Sequence, residues 1–113
     1  MKSIRMDKIS EQIRRELSQM IQQDLSEKYG VITITRVYIT PDIKEAKIYF
    51  SCLNKGKEAD VLKDLTRKAL SYQHTIGRKL QIKFTPRFTF VIDNYQDDID
   101  KVEGLLTEID HGA

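Results

Sequence analysis

Two side chains carry reactivity of their own: Cys52, the single cysteine, and His74, the one histidine ahead of the near-terminal His111. A thiol beside an imidazole would make a nucleophile with its base, and an imidazole beside a carboxylate a general base. Neither arrangement can be read from the spacing. Cys52 closes an alternating apolar run and reads as a small packing residue. His74 sits in a basic stretch with no acid or nucleophile near it, and His111 reads as solvated. No carboxylate pair, glycine-rich phosphate loop or metal-ligand spacing stands out, and one cysteine with two histidines is too small a set for a structural zinc site. The sequence therefore proposes no enzyme, no cofactor and no metal.

Phosphate recognition has better support. Between residues 65 and 92 stand Arg67, Lys68, Arg78, Lys79, Lys83 and Arg87, with no Asp or Glu among them. Cations so grouped suit a nucleic-acid backbone, because each neutralised phosphate releases condensed counterions. The plain alternative is a solvated basic face that balances acids elsewhere. Further cations, Lys2, Arg5, Lys8, Arg14 and Arg15, lie near the start and are opposed by Asp7, Glu11 and Glu16. Tyr38 and Tyr49 fall on the polar sides of their strands and are the candidates for base stacking; Phe84, Phe88 and Phe90 share an apolar face and read as core.

The elements that must position these residues follow from periodicity. Met6, Ile9, Ile13, Leu17, Met20, Ile21 and Leu25 form a helical stripe that ends near Tyr29-Gly30. The β-branched run Val31 to Ile39 predicts a strand, Thr40-Pro41-Asp42 a tight connection, and the alternation Ala46, Ile48, Phe50, Cys52 a second strand antiparallel to it. After Asn54-Lys55-Gly56-Lys57 a helical period runs through Leu62, Leu65, Ala69, Tyr72, Ile76 and Leu80, with a break into two helices expected near Ser71. The alternation from Leu80 to Ile92 predicts a long third strand, at a sheet edge or bulged at Pro86 and able to lie parallel to the first. A last amphipathic helix carries Ile99, Val102, Leu106 and Ile109 behind Asp97 and Asp98. The expected class is α+β, a three-stranded sheet with helices on one face.

The chain of 113 residues is 40% hydrophobic and 32% charged, enough for one domain with its own core. Its net charge of +2 conceals two unlike parts: residues 93–113 carry −6, which leaves +8 on residues 1–92. The lone cysteine fits a reducing compartment, and no apolar run reaches membrane-spanning length, so a cytoplasmic protein is expected.

The run Thr40-Pro41-Asp42-Ile43-Lys44-Glu45-Ala46-Lys47-Ile48-Tyr49-Phe50-Ser51 resembles the Ser-x-Asp-Leu turn and Ala-Lys-Val-Tyr-Val-Ser strand of bacterial ribosome-binding factor A. Ile76-Gly77 and Pro86-Arg87-Phe88-Thr89-Phe90-Val91-Ile92-Asp93 resemble that family's Leu-Gly step and Pro-x-Leu-x-Phe-x-x-Asp strand. The likeness covers roughly residues 4 to 108. It implies a type II KH-like domain, α-β-β-α-α-β, without catalysis or cofactor, that binds precursors of the 30S subunit and 16S rRNA. It also implies a part in late maturation, including processing of the 16S 5′ end, and in adaptation to cold. Where the family has an Ala-x-Gly kink, this chain has Lys68-Ala69-Leu70 or Ala69-Leu70-Ser71, and Gln73 stands near the family's arginine.

These readings give one KH-like domain over residues 1–113, monomeric and away from membranes, whose last part, residues 93–113, forms an acidic helix and tail. RNA is expected on Arg67, Lys68, Arg78, Lys79, Lys83 and Arg87. The alternative is a protein-interaction module that uses the sheet edge near Pro86 or the acidic C-terminal helix.

Overall fold

A computed structural model describes residues 4–94, with side chains from Asp7 onward. Helix α1 spans Ile4–Tyr29, strand β1 Ile32–Ile39, strand β2 Glu45–Cys52, helix α2 Glu58–Leu80 and strand β3 Arg87–Ile92. The expected C-terminal helix lies outside the described residues.

Four-residue spacing places Ile13, Leu17, Ile21, Leu25 and Tyr29 on the buried side of α1. Gly30, at φ 74°, takes the left-handed conformation that ends the helix, and its N–H donates to the Ser26 carbonyl. β1 then pairs antiparallel with β2, from Ile32 opposite Cys52 to Ile39 opposite Ala46. The turn between them puts the β-branched Ile43 at φ 61°, where the Asp42 carboxylate accepts from the Lys44 N–H and the Thr40 hydroxyl.

Three expectations are overturned. The helical period after Lys57 is one unbroken helix, because nothing near Ser71 removes a backbone donor or forces a kink. The third strand begins only at Arg87, because α2 runs to Leu80 and then closes on Gln81 at φ 53°. The Gln81 N–H turns back to the Arg78 carbonyl and the Ile82 N–H to that of Gly77, a Schellman closure that alternation of side chains cannot reveal. Finally, β3 lies parallel to β2, from Glu45 opposite Arg87 to Phe50 opposite Ile92, and not to β1. The sheet order is β1-β2-β3.

All three strands turn most of their apolar residues to one side, Val91 being the exception. Ile32, Ile34, Ile39, Ala46, Ile48, Phe50, Cys52, Phe88 and Phe90 meet Val61, Leu65, Tyr72 and Ile76 of α2 and the stripe of α1. Cys52 is a buried packing residue, as its alternation indicated. Phe84 is not core: it lies in the connector before β3 and is 75% exposed, with the Lys83 ammonium 5.6 Å from its ring centre.

The connector to β3 crosses α2 at Gly77, where a Cβ would overlap the Thr85 hydroxyl. Gly77→Ala is expected to be less favourable in the natural chain than in a Thr85→Ala background by about 1 kcal/mol, as urea unfolding of the four proteins will show. Ile43→Asn should stabilise the fold by roughly 1 kcal/mol in the same assay, since asparagine tolerates the left-handed conformation better.

Candidate nucleic-acid interface

Helix α2 lies over the sheet, and its outward side is a line of exposed residues three or four apart: Lys63, Arg67, Leu70, His74 and Arg78. Arg67 and Arg78 are three turns apart, about 16 Å along the axis. Lys68 is half-buried beside this line, and Lys83 is exposed in the connector just beyond the helix. Among the described residues, Lys68, Arg78 and Lys83 take part in no ion pair. His74 lies on this outward face with no acid beside it in the line, in keeping with a solvated residue.

The other three cations are not uncompensated, although their stretch of sequence holds no acid. Arg67 reaches Asp64 at 3.1 Å, one turn earlier on its own helix. Lys79 reaches Glu16 of α1 at 3.1 Å. Arg87 pairs with Glu45, its cross-strand neighbour. Arg87 also stands apart in space, since the first residue of β3 points to the face of the sheet that the helices leave open. Lys83, expected to share that strand's polar face, lies outside the strand altogether. The six cations therefore divide: five along α2 and its connector, one on the opposite side of the molecule.

What aims α2 is a polar seam with α1. The helices run antiparallel, so Glu16 meets Lys79, Asp24 accepts from the Tyr72 hydroxyl at 2.9 Å, and Asp64 meets the end of α1. Asp64 is 7% exposed, and its carboxylate accepts from the Tyr29 hydroxyl at 2.5 Å, from Lys28 at 3.1 Å and from Arg67 at 3.1 Å. The Tyr29 bond foremost, then Lys28, holds its carboxyl below the usual carboxylate range, against the opposing effect of burial. Tyr72 is pushed the other way, upward, by burial and by the Asp24 carboxylate that accepts its proton. One carboxylate shared by two cations leaves a positive surplus, so Lys28 stands beside Arg67 toward the N-terminal part of α2, away from Arg78 and Lys79 in its last turn. The sequence reading missed Lys28, which is remote in the chain, and Lys63, which the four-residue spacing to Arg67 would have found.

Gln73, aligned with the arginine of the resembling family, turns inward: its side-chain carbonyl accepts from the Phe88 N–H at 3.0 Å and secures the start of β3. Among the described residues no group of three or more His, Cys, Asp or Glu is arranged to hold a metal, and no helix is long and apolar enough to cross a membrane.

The family model described as ribosome-binding factor A matches residues 5–106. The chain belongs to the ribosome-binding factor A family. It is 38% identical to ribosome-binding factor A of Acetivibrio thermocellus over 93 residues, 80% of this chain and 76% of that protein. The crystal structure of ribosome-binding factor A from Thermus thermophilus superimposes with a TM-score of 0.68 at 20% identity, covering 76% of this chain and 93% of the other. A Thermus thermophilus ribosome-binding factor A homology model, fitted into a cryo-EM map of a 30S complex, gives 0.64 at 20% identity and covers 74% and 90%. The fold is thus the KH-like α+β fold of ribosome-binding factor A, with the single helix α2 where the resemblance implied two.

The Asp64 junction has a pH signature. A carboxyl whose folded pKa lies below its unfolded value of about 3.9 stabilises the fold above that value, and the contribution is lost as pH falls through the folded pKa. Asp64→Asn should cost about 1 to 3 kcal/mol at neutral pH, because the buried Tyr29 hydroxyl loses a charged acceptor, while Lys28 and Arg67, both exposed, lose only a partner that water can replace. It should also flatten the loss of stability between about pH 5 and pH 2, measured by urea unfolding across that range.

Proposed function

We propose that this protein is a non-catalytic assembly factor that binds precursors of the small ribosomal subunit through 16S rRNA, using the outward side of α2 and its connector. In that role it assists late maturation and processing of the 16S 5′ end in the cytoplasm, with its greatest importance in the cold. The observation that carries the reading is the surface formed by Arg67, Lys68, Arg78, Lys79 and Lys83. It comes from a stretch without a single acid, and its ion pairs leave Lys68, Arg78 and Lys83 available. Family membership supports it, as does the relative fitted into a map of a 30S complex. Lys79, paired with Glu16, serves the helix seam as much as the ligand; Arg87 would contribute from the other face.

Binding of this kind holds one arrangement of the RNA and ends as the particle matures, since a ligand shifts an equilibrium only by its differential affinity for the two states. Charge reversal at two of the three available cations, Arg78→Glu with Lys83→Glu, is expected to abolish cosedimentation with small-subunit precursors while circular dichroism stays native. Neutralising the same two residues should make the slope of log K against log salt shallower by about 1.4, from the single-strand coefficient. Retained cosedimentation of the folded charge-reversed protein would remove this surface from the reading.

A further inference from the structure

Away from the helices, the open face of the sheet has its own composition. The strand register aligns its residues in rungs: Arg36 with Tyr49 and Val91, Tyr38 with Lys47 and Thr89, and Glu45 with Arg87. A bulge between Ile34 and Arg36 creates this pattern. Strict alternation from Ile32 and Ile34 would send Arg36 and Tyr38 into the core; the extra residue reverses the phase, so Val37 and Ile39 turn inward and Thr35, Arg36 and Tyr38 turn out. The Arg36 guanidinium lies 4.0 Å from the centre of the Tyr49 ring, a stacking separation, and Arg36 remains exposed. Tyr38 is 42% exposed. Arg36 and Lys47 have no acidic partner among the described residues, and the acid in these rungs, Glu45, is engaged by Arg87. An open cleft of about 660 Å³, within the size range of ligand sites, is lined on the sheet side by the two tyrosines, Arg36 and Lys47 and on the α1 side by Asp7, Ser10 and the Glu11–Arg14 ion pair.

We propose that this face stacks unpaired RNA bases, on the Tyr38 ring and on the Arg36 guanidinium held over Tyr49, with Lys47 and Arg87 placed for the adjoining phosphates. Flat π faces and guanidinium planes at the surface of a sheet are what splayed bases need, and Arg36 and Lys47, which no acid among the described residues pairs, match the charge of the strand that carries them, while Arg87 would have to share its guanidinium with Glu45. The proposal rests on the RNA-binding reading above and adds a second contact, on the side of the molecule opposite α2. The protein would then bridge two RNA segments.

The test is fluorescence anisotropy with dye-labelled single-stranded oligo(A) and oligo(U) of about 12 nucleotides, beside cosedimentation with small subunits. Tyr38→Ala is expected to weaken oligonucleotide binding roughly 5- to 100-fold, with the salt slope unchanged, while Tyr38→Phe stays within about twofold of the natural chain. Arg36→Lys keeps the charge but loses the plane, and should weaken binding several-fold. Natural affinity in both Tyr38→Ala and Arg36→Lys would overturn the platform. If the Arg78→Glu, Lys83→Glu protein has at the same time lost RNA, the reading of α2 stands without it. If Tyr38→Ala loses intact subunits but keeps the oligonucleotides, a ribosomal protein occupies this face and the proposal fails. A natural chain that binds neither oligonucleotide nor subunit overturns both readings together.

Discussion

A strand that lies parallel to the one before it cannot be reached by a turn: the chain must travel back the length of the sheet before it starts again. The pairing of β3 with β2 imposes this, and most of the molecule follows from it. Eight residues of β2 extend about 26 Å, and the 23 residues of α2, about 34 Å long, are the return path. That path must lie on the apolar face, because the crossover can bury its own stripe only there. The side of α2 left in water is then fixed, along with every cation on it. Closing the return needs Gln81 in a left-handed conformation and the absence of a side chain at Gly77, where the connector passes over the helix.

The sheet has one apolar face, and both helices use it. Its other face is left to water, to hydrogen bonds such as that from the Thr35 hydroxyl to Asp93, and to the residues that the β1 bulge turns outward. The layers thus produce two basic surfaces of different kinds. One is a helix face with charge alone, suited to phosphates; the other interleaves planar groups with charge.

Ion pairing redistributes the cations that the sequence groups together. Arg67, Lys79 and Arg87 find Asp64, Glu16 and Glu45. Such exposed pairs contribute little stability, yet they decide which cations are available to a ligand. Asp64 differs from the other two acids because it is buried, holds three donors and joins the end of α1 to α2. It couples the integrity of the helix seam to the presentation of Lys28 and Arg67.

Local chemistry was legible in the residues themselves. The stripe of α1, the left-handed Gly30, the β1–β2 hairpin, the buried Cys52, the one-sided packing and the acid-free cationic stretch all follow from side-chain period or backbone freedom within a few residues. The resemblance carried by the Thr40 to Ser51 run and the Pro86 to Asp93 strand led to the family. What the sequence left open depends on contacts between distant segments. The continuity of α2 through Ser71, the Schellman closure that cuts β3 short and exposes Phe84, and the pairing of β3 with β2 are set by which surfaces meet, and alternation from Leu80 to Ile92 reads the same in a turn as in a strand. Charge behaves likewise: a list of residues gives the number of cations, but only the packed chain sets which acid lies within 4 Å of each. Coulomb energy depends on distance in space, and the fold alone converts separation along the chain into distance.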